Sequence, residues 1–260
     1  MFATHNSVVR RGVRRLLTLT LAAGVGFAPG AGGSRAEETN RARPAVHAQQ
    51  LFAAAQKKFN LEPTNPVAAW EFARTGFDRA EFATNDAERA AIAVQAIAAC
   101  RKLIARESNS APAHYYLGMN LGQLARTKLL GALPIVDEME REFKVARALD
   151  ERMDHAGPDR NLGLLYFEAP SIGSVGDRTK ARKHLERAAE LAPEFPENRL
   201  NLAEAYLKWQ DKKPLHRELD ALKKIWPAAK TNFAGADWEA AWLDWQRRNG
   251  QLRAKAGVRP

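Results

Sequence analysis

Near the C-terminus one helix-hairpin pattern recurs 34 residues apart, its two copies closing at Pro193 and Pro227. A repeat of that length is a supersecondary unit that cannot bury its own apolar face, so the chain must stack several units side by side. Reading back from Pro193, Leu185 and Ala188 take the large and small packing places of a second helix that opens at Ala181, and Asp159-Arg-Asn-Leu-Gly-Leu-Leu-Tyr166 supplies the first helix. From Pro227 the same walk meets Leu222, Leu219 and Leu215, then Leu202, Ala203 and Tyr206. Small residues at the Gly163 and Ala203 places let paired helices approach closely, while Leu and Tyr fill the space beside them.

Looser copies precede these two. Apolar residues at helical spacing, Leu51, Phe52, Ala55 and Phe59, mark a first amphipathic helix over 46–59. Asn65-Pro66 reads as an N-cap followed by proline at the first helical position, opening a helix through Trp70, Ala73 and Phe77. Asn85 with Glu88 resembles a capping box for a helix over 87–106. A further copy begins at Ala111, with His114, Leu117, Gly118 and Leu121 at the repeated places and a partner helix from about Val136 through Phe143 and Ala146 to Leu149. Gly118 and Gly163 are 45 residues apart rather than 34, which implies about eleven inserted residues around Lys128–Pro134, and a six-residue insertion is expected within Ala169–Gly176. Insertions in stacked repeats collect on one surface and often shape a ligand site.

The run Leu162-Gly163-x2-Tyr166 resembles the W-x2-L-G-x2-Y signature of the tetratricopeptide (TPR) repeat, with Asp159 in place of the Trp, and Trp70, Ala73 and Phe77 match its Trp, Leu and Tyr places with Arg74 where Gly is expected. The resemblance covers residues 67–227 and implies an all-α fold, a right-handed α-solenoid of three to four TPR-like helix hairpins. The expected organisation is a signal peptide over 1–36, a polar tether over 37–45, the solenoid over 46–233 and a Trp-rich C-terminal capping helix over 234–256. In that last helix Trp238, Trp242 and Trp245 fall on one face, with Arg247, Arg248 and Arg253 assigned to the outer face. A Trp-lined ligand platform is the alternative reading of the same three rings.

The leader is inferred from Arg10, Arg11, Arg14 and Arg15 ahead of the apolar run from Leu16 to Ala28, with Ser34-Arg35-Ala36 as a cleavage site. Export, and a periplasmic location, follow as expectations. The net charge of +10 would fall to +5 on loss of the leader's five arginines, so nucleic-acid binding is a weak inference. The lone cysteine, Cys100, excludes an intrachain disulfide and reads as a small buried hydrophobe. His114, His155 and His184 share no metal-ligand spacing, and no phosphate loop, zinc-protease motif or nucleophile elbow occurs, so neither metal, cofactor nor catalysis is expected. Gly173-Ser-Val-Gly176-Asp177 could cradle an anion, although Asp177 is more simply a helix N-cap.

The inner face of such a solenoid is built by the first helix of each hairpin, at positions the signature leaves free. These carry Tyr115, Met119 and Gln123, then Arg160, Leu164 and Phe167, then Leu200, Glu204 and Lys208. Asn161 and Asn201 recur just before the signature Leu, where an Asn amide in some peptide-binding TPR domains both donates to and accepts from a bound backbone. The alternative is an Asn merely tolerated on an exposed helix. The functional expectation is a non-enzymatic scaffold binding a peptide or envelope protein through this face. A second resemblance, carried by Leu149-Asp150, Ala156-Gly-Pro158, Ala169-Pro170 and Gly176-Asp177, is to the periplasmic T component associated with TRAP transporters. It implies an apolar cavity near Leu129, Leu133, Leu164 and Phe167 for a small hydrophobic ligand. The chain lacks that family's lipoprotein cysteine.

Overall fold

In the computed structural model residues 35–128 and 130–258 are described; the expected leader lies outside them except for its last two residues, and so does Leu129. The described residues form ten α-helices and one 3-10 turn, with no strand. In chain order these are α1 (Arg35–Leu61), α2 (Pro66–Ala80), α3 (Asp86–Ile104), α4 (Ala111–Ala125), α5 (Leu133–Leu149), α6 (Met153–Glu168), α7 (Arg178–Leu191), α8 (Pro196–Lys208), α9 (Lys212–Asn232), the 3-10 turn Ala236–Trp238 and α10 (Glu239–Lys255). Consecutive helices pair as hairpins, α2 with α3, α4 with α5, α6 with α7 and α8 with α9, and each hairpin packs on the next. This is the all-α solenoid that the 34-residue period demands.

Local chemistry sets the boundaries. The Asn65 side chain accepts from the backbone N–H of Val67 and Ala68, with Pro66 following, and Asp177 accepts from Thr179 and Lys180 at the start of α7. Asn85 caps α3 through Glu88 N–H, and the Glu88 carboxylate turns back to Thr84 rather than to the cap residue itself, a displaced form of the expected box. Close approach within hairpins falls on two glycines. A Cβ at Gly118 would stand 2.6 Å from Phe143, and one at Gly163 would stand 2.7 Å from Leu185 Cγ and 2.9 Å from the Leu185 backbone nitrogen.

Four expectations are corrected. Residues 37–45, read as a tether, are helical, because Ala, Glu and Arg favour helix and Pro44 removes only one ladder donor. Pro227 does not close the last repeat: α9 runs through it to Asn232. The extra residues between Gly118 and Gly163 are not all in the loop after α4. They are shared among that loop, a longer α5 and a turn at Asp154, His155 and Ala156, whose φ angles of 50°, 53° and 62° lie in the left-handed region. Arg248 does not face outward, since it is 2% exposed.

The core has two main parts. One joins the first three hairpins around Phe77, Tyr115, Met139, Phe143 and Leu162. The other joins the third and fourth hairpins to α10 around Phe195, Leu200, Leu219 and Trp245. Phe52 and Phe59 of α1 stack on Phe72 of α2, with ring centroids 5.3 and 5.2 Å apart. Instead of extending the stack beyond α9, α10 packs on α8, the first helix of the last hairpin, and also meets α1. His47 of α1 contacts Asp237 at 2.5 Å, so the first and last described segments touch.

Candidate binding site

The inner face is formed by α2, α4, α6 and α8, which pack on one another in sequence. Most of the residues expected to line it for a partner are buried and already bonded within the chain. Tyr115 is fully buried; its hydroxyl donates to Asp154 Oδ2 at 2.5 Å and receives Arg160 Nη2 and Asn161 Nδ2 at 3.2 and 3.0 Å. Burial, reinforced by the Asp154 charge, holds the Tyr115 phenol well above its ordinary pKa, so it stays a donor. Arg160, itself 0% exposed, pairs with Asp154 and donates to the backbone oxygens of Asp154 and His155 and to Asn198 Oδ1. The left-handed turn is thus clamped from inside, which sustains a backbone that would cost about 1–2 kcal/mol per residue unassisted.

Neither expected amide is open to a ligand backbone. Asn161 donates to Tyr115 and to Gly157 O, and Asn201 accepts from Arg248 Nη2 at 2.8 Å. Arg248 also takes Glu204 through Nε and Nη2 at 2.9 and 2.6 Å, so α10 occupies the inner face of the fourth hairpin. Gln123 is fully buried and donates to Glu81, which Arg126 also reaches. Met119 and Leu164 belong to the core. The expectation of an exposed peptide groove across these residues is corrected: their regular spacing is a packing and hydrogen-bonding pattern.

Phe167 and Lys208 remain accessible. Phe167 is half-buried against Trp209, edge to face at 5.6 Å, and the Lys208 ammonium stands 4.5 Å from the Phe167 ring centroid. The Arg178 and Arg182 guanidinium groups lie 5.2 and 5.1 Å from the Trp209 ring centroid and pair with Asp211. Leu133 is 52% exposed at the start of α5, apart from the cluster that holds Leu164. Of the residues named for an apolar cavity, Leu164 and Phe167 share one apolar cluster, Leu133 is not part of it, and Leu129 lies outside the described residues.

Sequence reasoning missed Asp154, Asn198 and Arg248. Asn198 had no signature place, and its amide holds both the His155 and the Ala188 carbonyls at 2.9 Å. Asp159, standing where the signature has Trp, is fully buried and receives Arg147 Nε on both oxygens at 2.9 Å while contacting His184 at 2.6 Å. Asp78 of α2 is pushed up to about 7 by burial, which outweighs the nearby Arg74. Cys100 is buried, and that burial raises its thiol far above the ordinary value. Among the described residues no three His, Cys, Asp or Glu are grouped to hold a metal ion.

No family model matches the chain, and no curated protein does. Among solved structures it is similar to a thermophilic TPR protein of Thermus thermophilus, with a TM-score of 0.56 and 20% identity, over 84% of this chain and 99% of that one. Together with the paired helices and the close contacts at Gly118 and Gly163, this shows the chain to be a TPR-like α-solenoid.

Proposed function

We propose that the protein is a noncovalent docking module of the cell envelope that holds a protein partner at the lip of its inner side. The observation that carries this is the accessible corner of Phe167, Lys208 and Trp209, where an edge-to-face aromatic pair is ringed by three cations. Aromatic rings and Arg are the residue types that dominate binding energy at protein interfaces, and the surplus of cations selects a segment bearing carboxylates beside an apolar side chain. TPR-like architecture supports binding rather than catalysis, although fold by itself names no partner. Export to the periplasm, read from the arginines and apolar run of the leader, supplies the compartment in this reading.

Site-specific photocrosslinking tests it. A photoreactive residue at Phe167 is expected to capture one defined envelope protein in its native cells, while the same group at Val94, exposed on α3, captures none. Equal capture at both positions, or none at Phe167, would overturn the proposal.

A further inference from the structure

Beneath the closed inner face, polar side chains from α2, α4 and the start of α6 come together without satisfying one another. Asp78 is only 8% exposed, yet its Oδ1 accepts no hydrogen bond from any described residue, and its Oδ2 stands 3.6 Å from Arg74 Nη1, too far for one. Asp154 is bonded by Tyr115 and Arg160 on Oδ2 alone, and its buried Oδ1 likewise receives no donor. On α4, which packs between their helices, the buried Tyr116 ring stacks on Trp70 with centroids 6.0 Å apart. The Tyr116 hydroxyl feels the charges of Asp154, Arg74, Asp78 and Arg160, and Asp78 feels those of Asp154, Glu81 and Asp237. These groups therefore face one interior. Its floor is Asp78, Tyr116 and Asp154, and the half-buried Trp70, Arg74, His47 and Asp237 stand between that floor and solvent.

We infer that this interior binds a short aliphatic amine carrying a second donor group, its ammonium donating to Asp78 Oδ1, its far end to Asp154 Oδ1, and its alkyl chain lying along Trp70 and Tyr116. Buried carboxylate oxygens without donors are costly, and N–H groups bearing positive charge satisfy them best. Glu81 is paired with Arg126, which leaves the three carboxylates of Asp78, Asp154 and Asp237 facing the two arginines Arg74 and Arg160 beside His47. Burial pushes Asp78 up to about 7, the behaviour of a carboxyl short of countercharge. An arriving ammonium supplies that charge, and the Asp78 proton leaves for solvent. The aromatic pair favours an organic cation. A metal ion suits the interior less, since among the described residues no three carboxylates or imidazoles are grouped to hold one. None of these residues belongs to the Phe167 corner, so the inference does not rest on the protein partner proposed there.

Isothermal titration calorimetry of the full chain with 4-amino-1-butanol tests it, against 1,4-butanediol, which has the same length and no charge. The amino alcohol is expected to bind at pH 8 and the diol not to bind. Affinity should fall roughly tenfold at pH 6, where Asp78 keeps its proton, and roughly tenfold or more in Asp78→Asn. Tyr116→Phe, which keeps the ring and removes the hydroxyl, should weaken binding severalfold, while Asp220→Asn, at an exposed carboxylate of α9, should leave it unchanged. Circular dichroism checks that each variant keeps its helices, and the pH comparison on the unaltered chain needs no variant to fold. Absence of amine binding, equal binding of the diol, or binding indifferent to both pH and Asp78→Asn would each overturn the inference and leave these polar groups to ordered water.

Discussion

Gly163 and Asp78 show how much a single residue decides in this stack. At Gly163 the obstacle to a Cβ includes backbone, which cannot rotate away as the Phe143 ring opposite Gly118 can. Gly163→Ala is therefore expected to cost about 1–3 kcal/mol in denaturant melts and more than Gly118→Ala. Asp78 carries the opposite kind of constraint. Its carboxyl titrates near 3.8 when unfolded and is pushed up to about 7 when folded, so the folded state holds the extra proton between those values. Its contribution to stability consequently falls as pH rises from about 4 to about 7 and is level above that. Asp78→Asn should flatten that fall, which amounts to roughly 3 kcal/mol between pH 5 and pH 8 at about 1.4 kcal/mol per pKa unit, as read from urea melts of both proteins at those two pH values. The glycines and the caps Asn65 and Asp177 were legible in the sequence because their partners sit at fixed local offsets. Asp159 was not, because Arg147 and His184 reach it from other helices.

Among the elements, α8 and α10 carry the clearest consequences. At the end of α8, Gln210 takes a φ of 61° while Asp211 N–H bonds Tyr206 O and Gln210 N–H bonds Leu207 O, a Schellman turn closed by a residue that is not glycine. Gln210 is exposed, so Gln210→Gly should relieve backbone strain without loss of packing and raise stability by roughly 1 kcal/mol in thermal melts. Arg248 on α10 is buried among Glu204, Asp244 and Asn201. Arg248→Ala would strand those acceptors and is expected to cost about 3–5 kcal/mol, whereas Arg247→Ala, on the exposed side, should stay within about 0.5 kcal/mol. The helical period predicted that α10 exists and which face its tryptophans share. It could not assign Arg248 inward, since a buried arginine needs partners that only the tertiary arrangement supplies. The left-handed turn within the first residues of α6 left no trace either, because Asp154, His155 and Ala156 include no glycine and are held by Arg160 and Asn198 from beyond the turn.

Across the whole molecule, the stack of hairpins was legible and the state of its inner face was not. The 34-residue period fixes which helices pair and in what order, because each hairpin must cover its neighbour. It says nothing of where helices outside the repeats come to rest. Here α10 lies on α8 and touches α1, and the inner-face positions Tyr115, Arg160, Asn161 and Asn201 become core. Of the residues expected to line that face, Phe167 and Lys208 stay accessible. Native thiol labelling tests this closure most directly, with buried Cys100 as the internal control in the same chain. Cysteine is placed at Asn161, Asn201 or Lys208, and the labelling rate is followed without denaturant and with it. The closed inner face predicts prompt labelling at 208 and labelling at 161 and 201 only on unfolding, as at Cys100; prompt native labelling at 161 and 201 would contradict it and restore an open groove.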